Sequence, residues 1–481
     1  MSGSTMNTPY GLDGNKDQVE NRLFPVGFAF VIASVSALGV DAKDAAVAIG
    51  HLSAILLPWL LYFCFRNGLG SINALVVAGL SLTSPGILIN APLGLTDVFA
   101  LSLAVGVIGL TLNSRSTLGF FYSGLLAGMA YAVKNAQLAL LITLGLYYGY
   151  LWFASNITER RIIYKAVVSQ IFGIAIIVLP LLIRNLLLFG SLNPYQMPQS
   201  TIGFIENLRT YIETLIKDVT FCNSCALYTA WSILGLVMLG TIMSYACWLI
   251  FRAWSNLGDA IKRMFIISVI YVIMGSIIVV MARTRYQWGE LINIRHTLQY
   301  TPFLLAILLA FVSKSVIAIA PIRFALVAGL IFFHVSYAFS PITFQEKNLN
   351  HANFLHAAYT TGENHLCMQD NKIFLVSNWA YVFRIECGAR VRQIDPIHHR
   401  EAQTLTTTDE GYTSLMDAIT DIRNKSAGRP IHIGLFPDRF GLDARDFPLS
   451  NTEQKKLLDS GWMIIRNDER GLLIQSIKEL S

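Results

Sequence analysis

The chain divides into two parts of opposite character, and this division limits the folds open to it. About the first 340 of its 481 residues form a series of apolar segments with charges confined to short gaps, and the remainder is polar. The apolar segments are close to the ~20 residues that a helix needs to cross the ~30 Å hydrocarbon layer of a bilayer. Helices satisfy their own backbone hydrogen bonds in that layer. The sequence therefore predicts a many-spanning membrane domain followed by one extramembrane domain.

The composition agrees with a membrane protein and gives no support to a nucleic-acid partner. The chain is 54% hydrophobic and 14% charged, whereas an ordinary soluble chain is about 25% charged. The formal net charge is +6, but the basic residues stand singly between apolar segments and form no basic patch with interleaved aromatic residues. We therefore expect membrane lipid around most of the chain and no nucleic acid as a partner.

We predict about ten membrane-spanning helices, at residues 45–65, 72–88, 96–112, 118–134, 136–153, 166–184, 226–251, 265–281, 297–313 and 320–339. Residues 24–40 are also apolar, and two interpretations stay open: a juxtamembrane helix in the interface, or a further span. The first interpretation gives three regions. These are an external loop with the juxtamembrane helix at 1–44, the all-α transmembrane domain at 45–340 and an extramembrane domain at 341–481.

Basic residues are divided unevenly between the loops that join the predicted spans. Alternate loops carry Arg66, Arg115, Arg160, Arg252 and Lys314. Loops rich in Lys and Arg face the cytoplasm, so the other loops and the tail after residue 340 lie outside. We therefore expect a multi-pass membrane protein whose C-terminal domain lies outside, in the periplasm for a protein of the bacterial inner membrane or in an equivalent compartment.

The polar tail has the pattern of a small α/β domain. Strand-like runs occur at residues 373–377, 431–436, 462–466 and 472–477, and helical periodicity occurs at 412–425 and 452–460. Strands that alternate with helices favour a partly parallel sheet. The tail contains neither a GxGxxG motif nor a P-loop motif, so the sequence gives no support to nucleotide binding.

Four of the six cysteines lie outside the apolar segments: Cys222, Cys225, Cys367 and Cys387. Only these four are candidates for disulfide bonds, which form in oxidising compartments. The spacing of Cys222 and Cys225 also suits a metal, but zinc requires four ligands and no second pair or nearby His accompanies them. We expect a local Cys222–Cys225 disulfide, with unpaired thiols as the alternative.

Short motifs follow one another in a set order along residues 20–340. They are Arg22-Leu23-Phe24-Pro25-Val26-Gly27, Phe65-Arg66-Asn67-Gly68, Leu95-Thr96-Asp97-Val98-Phe99, the small-residue run from Ser123 to Lys134, Arg184-Asn185 with Phe189-Gly190, and Arg295-His296 with Pro302. Their order and their sides resemble the polytopic glycosyltransferases of the GT-C fold, especially the bacterial branch related to protein mannosyltransferases and lipid A aminoarabinose transferases. In that resemblance, Asp97 is similar to the second acidic motif of the family.

The resemblance implies a membrane glycosyltransferase of the inverting type. Such an enzyme moves a sugar from a polyprenyl-phosphate donor to a glycan, lipid or protein acceptor at the outer face of the membrane. The predicted outer ends of the spans carry side chains that suit this task, namely Lys134, Arg184, Arg283, Arg285, Arg295 and His296 for the lipid phosphate. Arg and Lys bind phosphate by charge-assisted hydrogen bonds.

Asp97 is the expected catalytic carboxylate among the described motifs. A carboxylate at this place can deprotonate an acceptor hydroxyl or hold a divalent metal, which is therefore a candidate cofactor. Two plainer interpretations stay open. Asp97 can be a helix cap, and the Arg side chains can extend to lipid headgroups as they do at the ends of many spans.

The amino-terminal end departs from the pattern of the family. Members begin with a span and an external loop that carries the first catalytic Asp, whereas this chain begins within what resembles that loop. Three explanations stay open: the sequence lacks the first span, one of Asp13, Asp17 or Glu20 replaces the first catalytic carboxylate, or the protein is an inactive scaffold. A transporter or flippase is the alternative from another functional class, although the sequence shows no internal repeat.

Overall fold

The structure is a computed structural model. It describes residues 7–8, 19–20, 26–92, 94–192, 200, 202–220, 252, 254–285, 292–311, 328, 359–370, 372–387, 389–394, 414–426, 428–437 and 447–477. Several predictions lie outside these residues: the span at 226–251, the span at 320–339 apart from residue 328, the carboxylates Asp13 and Asp17, and the Cys222–Cys225 pair.

Helices make up nearly all of the described part between residues 26 and 311. They are α1 Gly27–Ser36, α2 Ala42–Leu69, α3 Ser71–Leu82, α4 Pro85–Asn90, α5 Thr96–Asn113, α6 Thr117–Val133, α7 Leu138–Ala154, α8 Ile157–Phe189, α9 Phe204–Thr220, α10 Asp259–Arg285, α11 Ile294–Thr297 and α12 Thr301–Phe311. A two-stranded antiparallel pair, β1 (Asn7–Thr8) and β2 (Val19–Glu20), precedes them.

Five helical stretches of the described part are long and apolar enough to cross a membrane: Asp44–Leu69, Thr96–Asn113, Asn135–Ala154, Ile157–Leu188 and Asp259–Arg285. Shorter apolar helices are α1, α3, α6 and the stretch Thr301–Ala310 of α12. Described helices overlap eight of the ten predicted spans, which confirms an all-α membrane domain. Helix α1 has 10 residues, or about 15 Å at 1.5 Å per residue, which is too short to cross the hydrocarbon layer. Its length favours the juxtamembrane interpretation.

The prediction of one continuous helix over residues 72–88 is wrong. Helix α3 ends at Leu82, and α4 begins at Pro85 after a short turn. Proline has no backbone N–H and disfavours the helical conformation in the residue before it. Ser84 is accordingly extended, with φ −60° and ψ 128°. The sequence Ser84-Pro85 thus separates two helices, and this separation turns α4 toward the start of α5.

Helices α6 and α8 pack side by side in the same direction, and glycines make this close approach possible. A Cβ atom on Gly124 would meet the backbone carbonyl of Gln170, and one on Gly173 would meet the carbonyl of Phe121. Further along, Gly128 lies against Ile177. Small residues at such positions let helix backbones pack closely in membranes. The two helices therefore form a closely packed pair.

The helix ends separate into two groups, as the sidedness of the loops predicts. At one end, the α2 and α5 termini are joined by a 2.5 Å hydrogen bond from Asn67 Nδ2 to Asn113 Oδ1. Gly68 in the same region lies against Met264 near the start of α10. At the opposite end, the start of α5 meets the end of α6 through Asp97 and Lys134. The loops predicted on the same side of the membrane therefore lie at the same end of the helices.

The C-terminal region is an α/β domain, as predicted. Its sheet has the order β4-β3-β5-β7-β6, with β3 Phe374–Ser377, β4 Arg392–Gln393, β5 Ile431–Leu435, β6 Trp462–Asp468 and β7 Gly471–Ser476. Strand β3 is parallel to β4 and β5, and β7 is antiparallel to β5 and β6. The helices are α13 Ala380–Cys387, α14 Leu415–Lys425 and α15 Asn451–Asp459, and residues 359–366 are also helical. The sequence did not predict α13 or β4.

Successive residues of β3 point to opposite faces, and both faces are covered. Phe374 and Val376 pack with α14, whereas Leu375 packs with α13. A disulfide bond between Cys367 and Cys387 ties α13 to the segment before β3. The sequence listed both cysteines as candidates but did not pair them.

Candidate active site

Asp97 lies in the first turn of α5, at the end of the membrane domain where α6 terminates. Leu95 occupies the N-cap position, and the Asp97 side chain is completely buried. Among the described residues, its carboxylate accepts a hydrogen bond from a side chain and none from the backbone of its own helix. The geometry therefore disfavours the helix-cap interpretation.

Two cations from distant parts of the chain hold the Asp97 carboxylate. Lys134 terminates α6 in an extended conformation, and its Nζ donates to Asp97 Oδ1 at 2.5 Å. Arg295 on α11 places Nη2 3.3 Å from Oδ2. The Lys134 and Arg295 side chains are 18% and 33% exposed, so the cluster borders solvent on its cationic side. Within the described residues, Oδ2 is buried and its charged contact is Arg295.

A third cation reaches the cluster through His296, which neighbours Arg295 on α11. Arg283, at the end of α10, lies with Nη2 2.6 Å from His296 Nε2. Burial and the nearby charges of Arg283, Lys134 and Arg295 hold the pKa of His296 well below its usual range. The neutral ring accepts from Arg283 at Nε2, so its proton lies on Nδ1, 3.0 Å from Asn293 Oδ1. His296 thus orients Arg283, and a direct contact of His296 with phosphate stays a prediction.

A network of buried hydrogen bonds holds the backbone carbonyl of Asp97. Gln299 donates to the Asp97 carbonyl at 2.6 Å, and Gln137 donates to the Gln299 side chain at 2.8 Å. Tyr271 on α10 donates to Gln137 at 3.0 Å. The sequence analysis missed these residues. The available signal was a glutamine within an apolar segment, since polar residues inside membranes are rare and often functional.

The remaining predicted residues are placed elsewhere. Arg184 is half-buried near the end of α8 and donates to Asn185 Oδ1 at 3.0 Å. Arg285 is exposed at the last residue of α10. Neither contacts Asp97, so their roles in phosphate binding stay predictions. The structure brings together Asp97, Lys134, Arg283, Arg295 and His296.

The described residues do not fit a divalent metal at Asp97. No group of three or more His, Cys, Asp or Glu side chains occurs within them. Divalent cations such as Mg²⁺ and Ca²⁺ require several oxygen ligands, whereas Asp97 is one carboxylate between two cations. The metal requirement stays a prediction that depends on Asp13 and Asp17.

The fold is similar to those of solved membrane proteins. ArnT from Cupriavidus metallidurans in the apo state superposes with a TM-score of 0.57 at 12% identity, over 96% of this chain and 89% of that chain. The chain has a GT-C fold. The same protein bound to undecaprenyl phosphate gives a TM-score of 0.54 at 12% identity, again over 96% of this chain and 89% of that chain.

A second protein with the GT-C fold comes from an archaeon. The oligosaccharyltransferase AglB from Archaeoglobus fulgidus, in complex with an inhibitory peptide and a dolichol-phosphate, has a TM-score of 0.50 at 9% identity. The match covers 89% of this chain and 63% of AglB. No protein-family model and no curated protein matches the chain by sequence. These structures confirm the predicted GT-C fold. At sequence identities of 12% and 9%, they establish the fold and nothing further.

Proposed function

We propose that the protein is a membrane glycosyltransferase that moves a sugar from a polyprenyl-phosphate donor to an acceptor at the outer face of the membrane. The observation that carries this proposal is a cluster at one end of the membrane helices, in which Lys134 and Arg295 hold Asp97 and Arg283 contacts His296 beside Arg295. A lipid-linked sugar phosphate places its tail in the hydrocarbon layer and its anionic group at the interface. Guanidinium and ammonium groups bind that anion there.

The comparisons support the choice of a polyprenyl-phosphate donor. ArnT was solved with undecaprenyl phosphate, and AglB was solved with a dolichol-phosphate. Both ligands join a phosphate to a long isoprenoid. The basic cluster of this chain has the chemistry for the same class of ligand, and the neutral His296 ring fixes the direction of one of its guanidinium groups.

Asp97 has the position and the chemistry of a general base. For Oδ2 to accept the proton of an acceptor hydroxyl, the partly exposed Arg295 side chain moves from Oδ2 to the phosphate, because Oδ2 is buried in this structure. The hydroxyl oxygen then forms a bond to C1 of the sugar as the bond between C1 and the phosphate oxygen breaks. The phosphate leaves with the electron pair, and Lys134, Arg283 and Arg295 stabilise its negative charge. Attack from the face opposite to the phosphate inverts the configuration at C1.

Two features support an outward-facing active site and tail. The helix ends opposite to the cluster belong to the loops with more basic residues, which face the cytoplasm in most membrane proteins. The Cys367–Cys387 disulfide lies in the C-terminal domain, and disulfides persist mainly in oxidising compartments. Both features support a periplasmic C-terminal domain in a protein of the bacterial inner membrane.

The first experiment measures binding of undecaprenyl phosphate to the purified protein in detergent, with undecaprenol as the ligand that lacks the phosphate. We expect binding of undecaprenyl phosphate only. Arg295→Ala should weaken binding roughly tenfold to a hundredfold, because a hydrogen bond to a charged group contributes about 1.5–3 kcal/mol. Equal affinity for undecaprenol, or unchanged affinity in the variant, would contradict the proposal.

The second experiment measures transfer, with a panel of radiolabelled undecaprenyl-phosphate monosaccharides and membrane extracts as the acceptor source. Release of undecaprenyl phosphate should fall by about 10²–10⁴ in Asp97→Asn, the range typical of a lost general base. Asp44→Asn is the matched control, because Asp44 is an exposed carboxylate in the first turn of α2. Binding without release by the unmodified protein would indicate an inactive scaffold, and movement of intact donor across vesicles would indicate a flippase.

A further inference from the structure

A second carboxylate, Asp218 on α9, is completely buried close to the candidate active site. Its Oδ1 accepts a hydrogen bond from Ser84 Oγ at 3.0 Å. Its Oδ2 accepts from Thr301 and, at 3.4 Å, from Thr297. The backbone N–H of Gly86 also donates to this carboxylate. Four neutral donors therefore surround one buried acid.

These donors come from the two chain segments that carry the active-site residues. Ser84 and Gly86 stand at the start of α4, which leads through a short turn to the first turn of α5. Thr297 is the last residue of α11, directly after Arg295 and His296. The Asp218 carboxylate thus joins the segment that leads to Asp97 and the segment that holds the cations, although neither segment is near α9 in the sequence.

The packing around Asp218 is tight enough to fix these positions. A Cβ atom on Gly86 would lie 2.7 Å from Leu298 Cβ and 3.1 Å from Asp218 Oδ1. Only glycine therefore lets the α4 backbone approach both the carboxylate and α11. Helix α9 is also held about two turns earlier on the same face, where Ser276 on α10 donates to Tyr211 Oη at 2.9 Å.

We propose that Asp218 is a positioning residue of the candidate active site, where its carboxylate holds the α11 segment with Arg295 and His296 against the α4 segment that leads to Asp97. This inference rests on the proposed function, because it assigns a role in phosphate binding to a residue that does not touch the phosphate. The carboxylate, and not merely the size of the side chain, is required because it accepts from three hydroxyl groups and one backbone N–H.

The protonation of Asp218 falls in a range that an experiment can reach. Burial raises the pKa of Asp218 to about 6, and the hydrogen bonds from Thr301, Ser84, Gly86 and Thr297 oppose this rise. A protonated carboxyl group donates one hydrogen bond and accepts fewer. Below about pH 6 the connection between the two segments therefore weakens, and phosphate binding weakens with it.

The other titratable groups around Asp218 are engaged elsewhere. From α11, Arg295 pairs with Asp97, and His296 contacts Arg283 of α10. From α9 itself, Tyr211 accepts a hydrogen bond from Ser276. Before α12, Tyr300 packs against Tyr271 with ring centroids 5.3 Å apart. Within the described residues no cation pairs with Asp218, so its charge depends on the neutral donors.

The test compares the affinity for undecaprenyl phosphate of the unmodified protein and of Asp218→Asn between pH 5 and pH 8. The ratio of the two dissociation constants removes the titration of the ligand itself, since both proteins meet the same ligand. We expect about tenfold weaker binding by Asp218→Asn at pH 7.5 and less than a twofold difference at pH 5. Glu213→Gln, a carboxylate-to-amide change on the same helix, should leave the ratio near one. A ratio that does not change with pH overturns the inference.

A second measurement separates this inference from the proposed function. Hydrogen exchange at a fixed pH of 7.5, without ligand, should be faster in Asp218→Asn for the peptide that contains residues 292–301 and unchanged for the α6–α8 pair. Unchanged exchange at 292–301 overturns the positioning role even if the protein binds the lipid. Failure of the unmodified protein to bind undecaprenyl phosphate overturns the proposed function instead. If Asp218→Asn does not fold, Thr297→Val removes one donor and should show the same faster exchange.

Discussion

Replacement of Lys134 tests whether the buried charge of Asp97 destabilises the protein when its partner is absent. Lys134→Met keeps most of the side-chain length and removes the ammonium group that lies 2.5 Å from Asp97 Oδ1. Breaking a buried pair from one side costs about 3–5 kcal/mol, because the other charge stays buried without compensation. Arg295 remains 3.3 Å from Oδ2, and Lys134 is 18% exposed. We therefore expect the lower end, about 3 kcal/mol.

The double variant Lys134→Met with Asp97→Asn makes this prediction specific. Without the carboxylate no fully buried charge is left uncompensated, because the remaining Arg295 side chain is 33% exposed, and replacement of both partners of a buried pair is often nearly neutral. We expect the double variant to recover most of the stability lost by Lys134→Met. The two changes should therefore be strongly non-additive, as contacting residues are in a double-mutant cycle.

The assay is unfolding by SDS in mixed micelles, followed by tryptophan fluorescence. A loss of about 3 kcal/mol changes the unfolding equilibrium by roughly two orders of magnitude, which is well within reach of such a titration. Lys262→Met is the control at the opposite end of the helices, where Lys262 lies over the Trp254 ring at 5.9 Å, and a contact of that type contributes about 0.5–1 kcal/mol. Equal stability of Lys134→Met and the double variant would refute the reasoning.

Three further outcomes follow from the structure. The pKa of His296 lies well below 6.5 in the folded protein, so the unfolded state binds the proton more readily and stability falls as pH drops below about 6.5. Between pH 7 and pH 5.5, the melting temperature of His296→Gln should fall less than that of the unmodified protein. An equal fall would contradict the neutral ring. Gly124→Val should abolish folded protein on size-exclusion chromatography because its side chain meets α8, whereas Gly145→Ala, which meets nothing within 4 Å, should be tolerated. Cys387→Ser should destabilise the C-terminal domain by about 3 kcal/mol through the lost loop closure, which faster proteolysis would show. In cells, Cys367 of the unmodified protein should react with a maleimide only after reduction. Reaction without reduction would contradict an oxidising location.

The membrane helices and much of the active site were predictable because the lipid environment simplifies the sequence pattern. Charged residues are expensive within apolar segments, so Asp97, Lys134 and Arg295 stood out before their distances were known. The strands Ile431–Leu435 and Gly471–Ser476 were predicted for a related reason, since continuous apolar runs mark strands that are buried on both faces.

The residues that were missed depend on contacts between distant parts of the chain. Asp218 lies in a segment that was assigned to an external loop, where an acidic residue is normally solvated, and its burial is visible only when α9 packs against α11 and α12. The Gln137–Gln299 hydrogen bond joins residues 162 positions apart. Strand β4 has two residues, too few to show an alternating pattern. The pairing of Cys367 with Cys387 required the position of α13.

Helix α8 is longer than the hydrocarbon layer of a bilayer is thick. Its 33 residues extend about 50 Å at 1.5 Å per residue, well beyond a hydrocarbon layer of ~30 Å. Contact with α6 begins near Ser169, which donates to the Thr117 carbonyl at 2.6 Å, so the excess length lies before that residue and carries Arg160 and Lys165. The glycine contacts with α6 prevent α8 from tilting alone. In a thinner or thicker bilayer, we therefore expect the lipids around the protein to change their local thickness.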